Sequence, residues 1–241
     1  ALDVQAFPRR GVRAMWAMLR YIRQQRFDRL YDLQGNDRTG VLCALSGVRE
    51  RVGNHARFPY THHPQTPWRG QCHIFDRMNE VLAAAGVAPA APHPVLPCPA
   101  PARDEVTRFL AGHSLREGHF VVLHAGASPT RQDKCWPGFG DFAVRLEGAG
   151  LRALWLGAGH DAARNRALAA RAGIDATDCF SIPQLAEVAR HARFALTNDS
   201  GPMHAIAAAG IPVFGLFGPS DWRRNHALGQ AGHVLACTAL V

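Results

Sequence analysis

At 241 residues and 47% apolar content, the chain is long enough to bury one large or two small cores, which excludes a disordered or low-complexity protein. Basic residues outnumber acidic ones 27 to 19, a formal net charge of +8, which favours phosphates, nucleic acid or an anionic membrane face as partners without choosing among them. No apolar run approaches the roughly 20 residues that cross a bilayer, and the start "ALDVQAFPRRG" has no apolar segment of signal-peptide type. The cysteines Cys43, Cys72, Cys98, Cys135, Cys179 and Cys237 form no CxxC or CxH pair, so a soluble chain with reduced thiols is expected, without a zinc site or a redox dithiol.

In chain order, "RRGVRAMWAMLRYIRQQRF" places Val12, Met15, Met18, Leu19 and Ile22 at helical spacing among basic residues. This predicts an amphipathic helix over residues 11–26 that feeds a strand at "DRLYDLQG". "TGVLCALSGV" reads as a second helix, "ERVGN" as a short strand, and "CHIFDRMNEVLAAAGV" as a third helix ending near Gly86. The stretch "APAAPHPVLPCPAP", residues 88–101, is dense in prolines, which fix φ and remove backbone donors; it predicts a boundary between domains 1–100 and 101–241. Helix "ARDEVTRFLAGH", strand "HFVVLHAG", helix "WPGFGDFAVRLEGAG", strand "RALWLGAG" and helix "DAARNRALAARAG" follow. Then come helix "IPQLAEVARHA", strand "FALTND", helix "PMHAIAAAG" and strand "PVFGLFG". Strands that are nearly continuous apolar runs between helices predict an α/β fold with a parallel sheet covered on both faces.

Ligands of such sheets bind beyond the carboxyl ends of the strands, where "HAGASPTRQDK", "GAGHD", "TNDSGPMH" and "FGPSD" all fall. "GAGHDA" fits a GxGxxA dinucleotide pattern, but it is internal to its domain, and Asp175 and Asp178 are expected in a polar loop rather than at the end of a following strand. A tight turn is the expectation there. No GxxxxGK[ST] or GxSxG occurs, and His62 and His63 lack HxxxH spacing, so they read as surface or hydrogen-bonding histidines rather than metal ligands. Asn198, Asp199, Ser200 and Gly201 sit where a strand ends and a helix starts, and the first turn of that helix has amides without intrahelical acceptors. Either Asp199 or Ser200 caps them, or a ligand phosphate takes their place, bound by the amides, the Ser200 hydroxyl and the positive helix end. Gly201 allows close approach, Pro202 suits the first turn, and His204 projects one turn in, able to donate to the same anion.

"TNDSGPMHAIAAAGIPVFGLFGPSD" resembles the C-terminal signature of the bacterial heptosyltransferases of glycosyltransferase family 9. "VVLHAGASPTRQDKCWPGFGDFAVRL" is similar to their second signature, in the same order along the chain, and "FDRLYDLQGNDRTGVLCALSGVRERVG" to their weaker N-terminal segment. The resemblance implies a GT-B fold: two Rossmann-like domains with parallel sheets facing a cleft, the N-terminal one incomplete, with the nucleotide sugar held mainly by the C-terminal one. It implies transfer of heptose from ADP-heptose to the lipopolysaccharide inner core, with inversion and without a metal or cofactor.

On matching positions, Lys134 would neutralise the donor diphosphate and stabilise the leaving group, with Ser128 and Thr130 bonding to it. Asp199, Ser200 and Gly201 would hold the phosphates with support from His204, and Asp161 is the nearest acidic candidate for the ribose hydroxyls. Arg38, Arg57, His73 and Arg77 would dock the acidic Kdo–lipid A acceptor or form a solvated basic face, and the basic helix 11–26 would rest on the cytoplasmic side of the inner membrane. The family's Gly-rich loop with its acidic general base falls ahead of the first residue and the C-terminal tail is absent, so poor turnover is expected of the sequence as it stands. Two other readings remain: a different GT-B nucleotide-sugar enzyme, such as another glycosyltransferase or an epimerase, and a non-catalytic nucleotide- or nucleic-acid-binding module. No RRM or OB strand pattern supports a nucleic-acid partner.

Overall fold

In the computed structural model, residues 3–8, 11–68, 70 and 72–236 are described, and the chain divides into two units, Ala1–Ala90 and Ala91–Val241. In the first unit, helix α1 (Val12–Gln25) buries Ala14, Leu19 and Ile22 on one face. Val12, which shares the predicted apolar spacing, is exposed, as is Trp16. Strand β1 (Arg29–Tyr31) pairs in parallel with β2 (Glu50–Val52), and α2 (Asp37–Leu45) connects them. Asn36 starts α2 with a capping box, its side chain accepting from the Thr39 amide while the Thr39 hydroxyl accepts from the Asn36 amide. Helix α3 (Ile74–Ala83) begins at His73, whose Nδ1 accepts from the Phe75 amide. The buried Asp32 carboxylate holds the turn after β1, accepting from the Gln34 and Gly35 amides and, at 2.6 Å, from the Tyr60 hydroxyl.

The second unit begins ten residues earlier than the sequence boundary, and the proline-rich run explains the difference. Cys98 in that run is buried, the Leu96 carbonyl accepts from Arg190 Nη2 at 3.1 Å, and Pro99 is the N-cap of α4 (Ala100–Gly112). Strands β3 (Phe120–His124), β4 (Arg152–Gly157), β5 (Ile174–Thr177), β6 (Ala195–Asn198), β7 (Val213–Phe217) and β8 (Val234–Ala236) form one parallel sheet in the order β5-β4-β3-β6-β7-β8. Helices α5 (Phe139–Gly148), α6 (Ala162–Ala169), α7 (Ile182–Arg190), α8 (Gly201–Ala207) and α9 (Trp222–Asn225) complete the crossovers.

Successive side chains of a strand point to opposite faces, and β3 buries both. Phe120 and Val122 pack with Val106, Leu110, Val188 and Ile206 on the face covered by α4, α7 and α8. Val121 and Leu123 pack with Phe139, Ala143 and Trp155 on the face covered by α5. Three elements were not expected from sequence: β5, α9 and β8. Asp175 therefore lies in a strand rather than in a polar loop, while Asp178 falls in the exposed turn directly after it. The GxGxxA segment follows β4, one strand away from the central β3–β6 pair, whereas the dinucleotide fingerprint belongs to the strand at the centre.

Among the described residues, no helix is long and apolar enough to cross a membrane and no group of three or more His, Cys, Asp or Glu side chains is placed to hold a metal ion. His62 and His63 make local hydrogen bonds to the Thr61 hydroxyl and the Pro64 carbonyl. Cys43, Cys72, Cys98, Cys135 and Cys179 are free thiols; Cys237 lies outside the described residues.

Candidate functional site

From β3 the chain winds outward to β5 in one direction, and from β6 to β8 in the other, so the C-terminal ends of β3 and β6 flank the crevice where ligands of doubly wound sheets bind. Asn198, wholly buried at the end of β6, ties the two loops there. Its Nδ2 donates to the carbonyls of Ala125 (2.9 Å) and Gly126 (3.2 Å), and its Oδ1 accepts from the Trp136 amide at 3.1 Å. One side-chain amide thus fixes both ends of the loop after β3. Within that loop, Arg131 N donates to Ser128 O, Gln132–Lys134 form a 3₁₀ turn, and the exposed Ser128 and Thr130 hydroxyls stand 3.2 Å apart. Arg164 of α6 clamps the loop by donating to Gln132 Oε1 (2.5 Å) and Ala125 O (3.2 Å).

The turn delivers Lys134, the single lysine among the 27 basic residues. Its Nζ donates to Asp199 Oδ2 at 2.5 Å, and the same oxygen accepts from Ser220 Oγ at 2.6 Å. Loops following β3, β6 and β7 therefore meet at one carboxylate. Lys134 also lines a hollow of about 660 Å³ together with Trp136, Pro137 and Phe217, a volume in the range of small-molecule sites.

Ser200 is the N-cap of α8 in an extended conformation, but it makes no side-chain cap hydrogen bond. Its Oγ instead lies 3.0 Å from His124 Nδ1 and donates to Asn198 O at 3.2 Å. Capping by Ser200, one of the two expectations for this loop, is not realised. A Cβ at Gly201 would meet nothing within 4 Å, and His204 is exposed on the same helix.

Two donor-site expectations change. The Asp199 carboxylate can only accept, it is committed to Lys134 and Ser220, and its amide donates to Leu216 O; it positions the lysine rather than holding phosphate oxygens. Asp161 is 2% exposed and packed so closely that a Cβ on Gly126 would come 2.1 Å from its Oδ1. Its Oδ2 accepts from the Ala158 amide, so the carboxylate faces the interior and not a ribose. Burial alone would raise the Asp161 carboxyl above its usual range, but the nearby His124 imidazole and the hydrogen bond from the Ala158 amide, with His160 close by, hold it below. The exposed carboxylate at this edge belongs to Asp178, whose Oδ2 lies 3.3 Å from where a Gly159 Cβ would stand.

In the first unit, Arg77 is 1% exposed and its guanidinium is engaged by Asn54 Oδ1 and O, Thr66 O and Glu80, beneath the Trp68 ring. Arg77 therefore braces the unit and is not an open anion site, while His73, half-buried, caps α3 through its Nδ1. Arg57 is exposed beside a hollow of about 490 Å³, and Arg38 is half-buried in the first turn of α2.

Ser220, His124 and Arg164 were not singled out from the sequence, and Asn198 was placed at the strand end without a role of its own. Asn198 and Ser220 lay inside loops already marked as strand ends, "TNDSG" and "FGPSD", which is the signal that reaches them.

The model of glycosyltransferase family 9 (heptosyltransferase) matches residues 15–238. The chain is 36% identical over 114 residues to lipopolysaccharide heptosyltransferase 1 of Salmonella typhimurium; the match takes in 45% of this chain and 34% of that protein, so it spans about a third of the curated relative's length. The fold superimposes on the glycosyl transferase family 9 structure from Veillonella parvula with a TM-score of 0.80, at 21% identity, covering 96% of this chain and 70% of that one. E. coli ADP-heptose LPS heptosyltransferase II follows at 0.69 (17% identity, 94% and 72% covered), and E. coli heptosyltransferase WaaC with ADP at 0.65 (21%, 92% and 70%). With the parallel six-stranded sheet, these likenesses give the fold as GT-B.

Proposed function

The chain belongs to glycosyltransferase family 9, the heptosyltransferases, and from that premise we propose that it transfers heptose from ADP-heptose to the lipopolysaccharide inner core, with inversion and without a metal or cofactor. One observation carries the reading: the only lysine is drawn by Asp199 and Ser220 to the crevice between β3 and β6, next to Ser200 and the start of α8. A departing ADP gathers negative charge on its terminal phosphate. An ammonium already fixed in place, with amides and a hydroxyl around it, stabilises that charge without reorganising solvent. Asp199 keeps Lys134 from swinging into water, and the arriving phosphate shares the ammonium with it. Ser128 and Thr130 donate to the same diphosphate from the rim, and His204 from the first turn of α8. Asp178 replaces Asp161 as the carboxylate for hydroxyls at the nucleoside end.

On the acceptor side, Arg38, Arg57 and His73 are the candidates to meet a phosphorylated, acidic Kdo–lipid A core. The exposed Trp16 and Val12 among the arginines of α1 suit a peripheral contact with the cytoplasmic face of the inner membrane.

Ligand-dependent melting tests the proposal. ADP and ADP-heptose should raise the Tm, because they bind the native state alone, and NAD or an oligonucleotide should not. Stabilisation by NAD without ADP overturns the reading, and stabilisation by a different sugar nucleotide in preference to ADP-heptose moves it to another GT-B enzyme. Lys134→Ala should weaken ADP about 10- to 100-fold, the worth of a hydrogen bond to a charged group. Lys134→Arg should recover only part of the loss, because a planar fork does not occupy the place of a compact ammonium.

A further inference from the structure

Behind the Ser200 hydroxyl stand two buried ionisable side chains that the proposed transfer does not use. His124, the last residue of β3, is 3% exposed, and Asp161, on the turn that opens α6, is 2% exposed. His124 Nδ1 lies 3.0 Å from Ser200 Oγ, and its Nε2 lies 3.8 Å from Asp161 Oδ2, within ion-pair reach. Hydroxyl, imidazole and carboxylate thus run in sequence from the loop after β6, through the end of β3, to the loop after β4. Other charged groups surround this line. His160 Nε2 approaches Asp161 Oδ2 at 3.4 Å, and Arg164 Nη1 approaches Oδ1 at 3.8 Å. Lys134 and Asp199 pair with each other on the Ser200 side. Asp161 Oδ1 itself has no hydrogen-bond partner among the described residues.

An imidazole carries hydrogen on one nitrogen or on both, and the choice decides where the serine's hydrogen points. With no hydrogen on Nδ1, the ring accepts from Ser200, and the hydroxyl turns lone pairs toward the crevice, which repels an anion. With a hydrogen on Nδ1, the ring donates to Ser200 Oγ. The serine's own hydrogen then goes to Asn198 O, 3.2 Å away, or to an arriving phosphate oxygen. A carboxylate opposite Nε2 is met by a hydrogen on that nitrogen, and an anion beyond Ser200 by the serine's own hydrogen, which a hydrogen on Nδ1 leaves available. Asp161 is held for this task by the Ala158 amide and by its close packing on Gly126 and Gly157.

We propose that His124 is a positioning residue: it donates to Ser200 Oγ, aims the Ser200 hydroxyl hydrogen at the diphosphate of the bound nucleotide, and is itself held by Asp161. This rests on the reading of the crevice as a nucleotide-sugar site. Calorimetric titration of ADP and of adenosine into the whole chain tests it, with the Tm of each variant recorded. His124→Leu and Ser200→Ala should each weaken ADP about tenfold. The double variant should bind no worse than Ser200→Ala, because the two groups act as one unit. Adenosine, which lacks the diphosphate, should bind all of them alike. His124→Asn places an amide N–H where Nδ1 was and should restore most of the ADP affinity, whereas His124→Gln, whose amide reaches toward Asp161, should not. Losses that multiply in the double variant, an equal loss for adenosine, or rescue by Gln as good as by Asn overturn the proposal. If His124→Leu fails to fold, the Asn and Gln variants decide the matter between them. A wild-type chain that ignores ADP sinks the proposed function and this inference together, while normal wild-type binding with an unchanged His124→Leu variant sinks the inference alone.

Discussion

An asparagine at position 198 makes three hydrogen bonds, two of which an aspartate cannot. Two run from its Nδ2 to backbone carbonyls, and a carboxylate there would face both with lone pairs while buried. Asn198→Asp should therefore cost about 3 kcal/mol or more in urea unfolding, the scale of an unpaired buried charge, and should release the Ala125 and Gly126 carbonyls at the start of the loop after β3. Lys134 and Ser200 could be singled out from sequence because their chemistry announces itself in a loop at a strand end. The roles of Asn198 and His124 could not, since their partners are 62 to 76 positions away and appear only once β3 and β6 are side by side. Asp161 was legible as a residue type in the right loop, but its direction was not: Gly126 and Gly157 make room for the carboxylate on the inside.

Elements were legible in proportion to how deeply they are buried on both faces. "FVVLH" and "RALWLG" announce themselves as strands because the sheet interior demands apolar side chains on both sides, and each buries four or more consecutive residues. "IDAT" does not, because β5 is the edge strand, only Ala176 in it is fully buried, and Asp175 points to water. The same contrast predicts stabilities. Phe120→Ala, at the centre of the sheet and 0% exposed, should cost about 3–5 kcal/mol. Asp175→Ala loses only the hydrogen bonds from the Thr177 amide and hydroxyl at an exposed edge, and should cost about 1 kcal/mol. Equal midpoint shifts in urea for the two would contradict this account of which strands carry the unit. In α1 the helical period was readable while the choice of face was not. Val12 fits the spacing yet sits at the exposed start, and Ala14, a residue without a strong signal, is buried.

At the scale of the whole chain, the two-unit organisation was legible from the prolines, and the family from two signatures that both lie in the second unit. The boundary was less so. Proline density marks where regular structure lapses, whereas membership of a unit is decided by contacts such as Arg190 with the Leu96 carbonyl, which no local pattern reveals. Composition adds a last consequence through the bond from Lys134 to Asp199. Isotope fed to the chain as lysine enters at this one position and nowhere else, giving a solitary magnetic resonance from inside the crevice. Its signal should move when ADP is added and stay still with adenosine; a line indifferent to both would remove the ammonium from the chemistry.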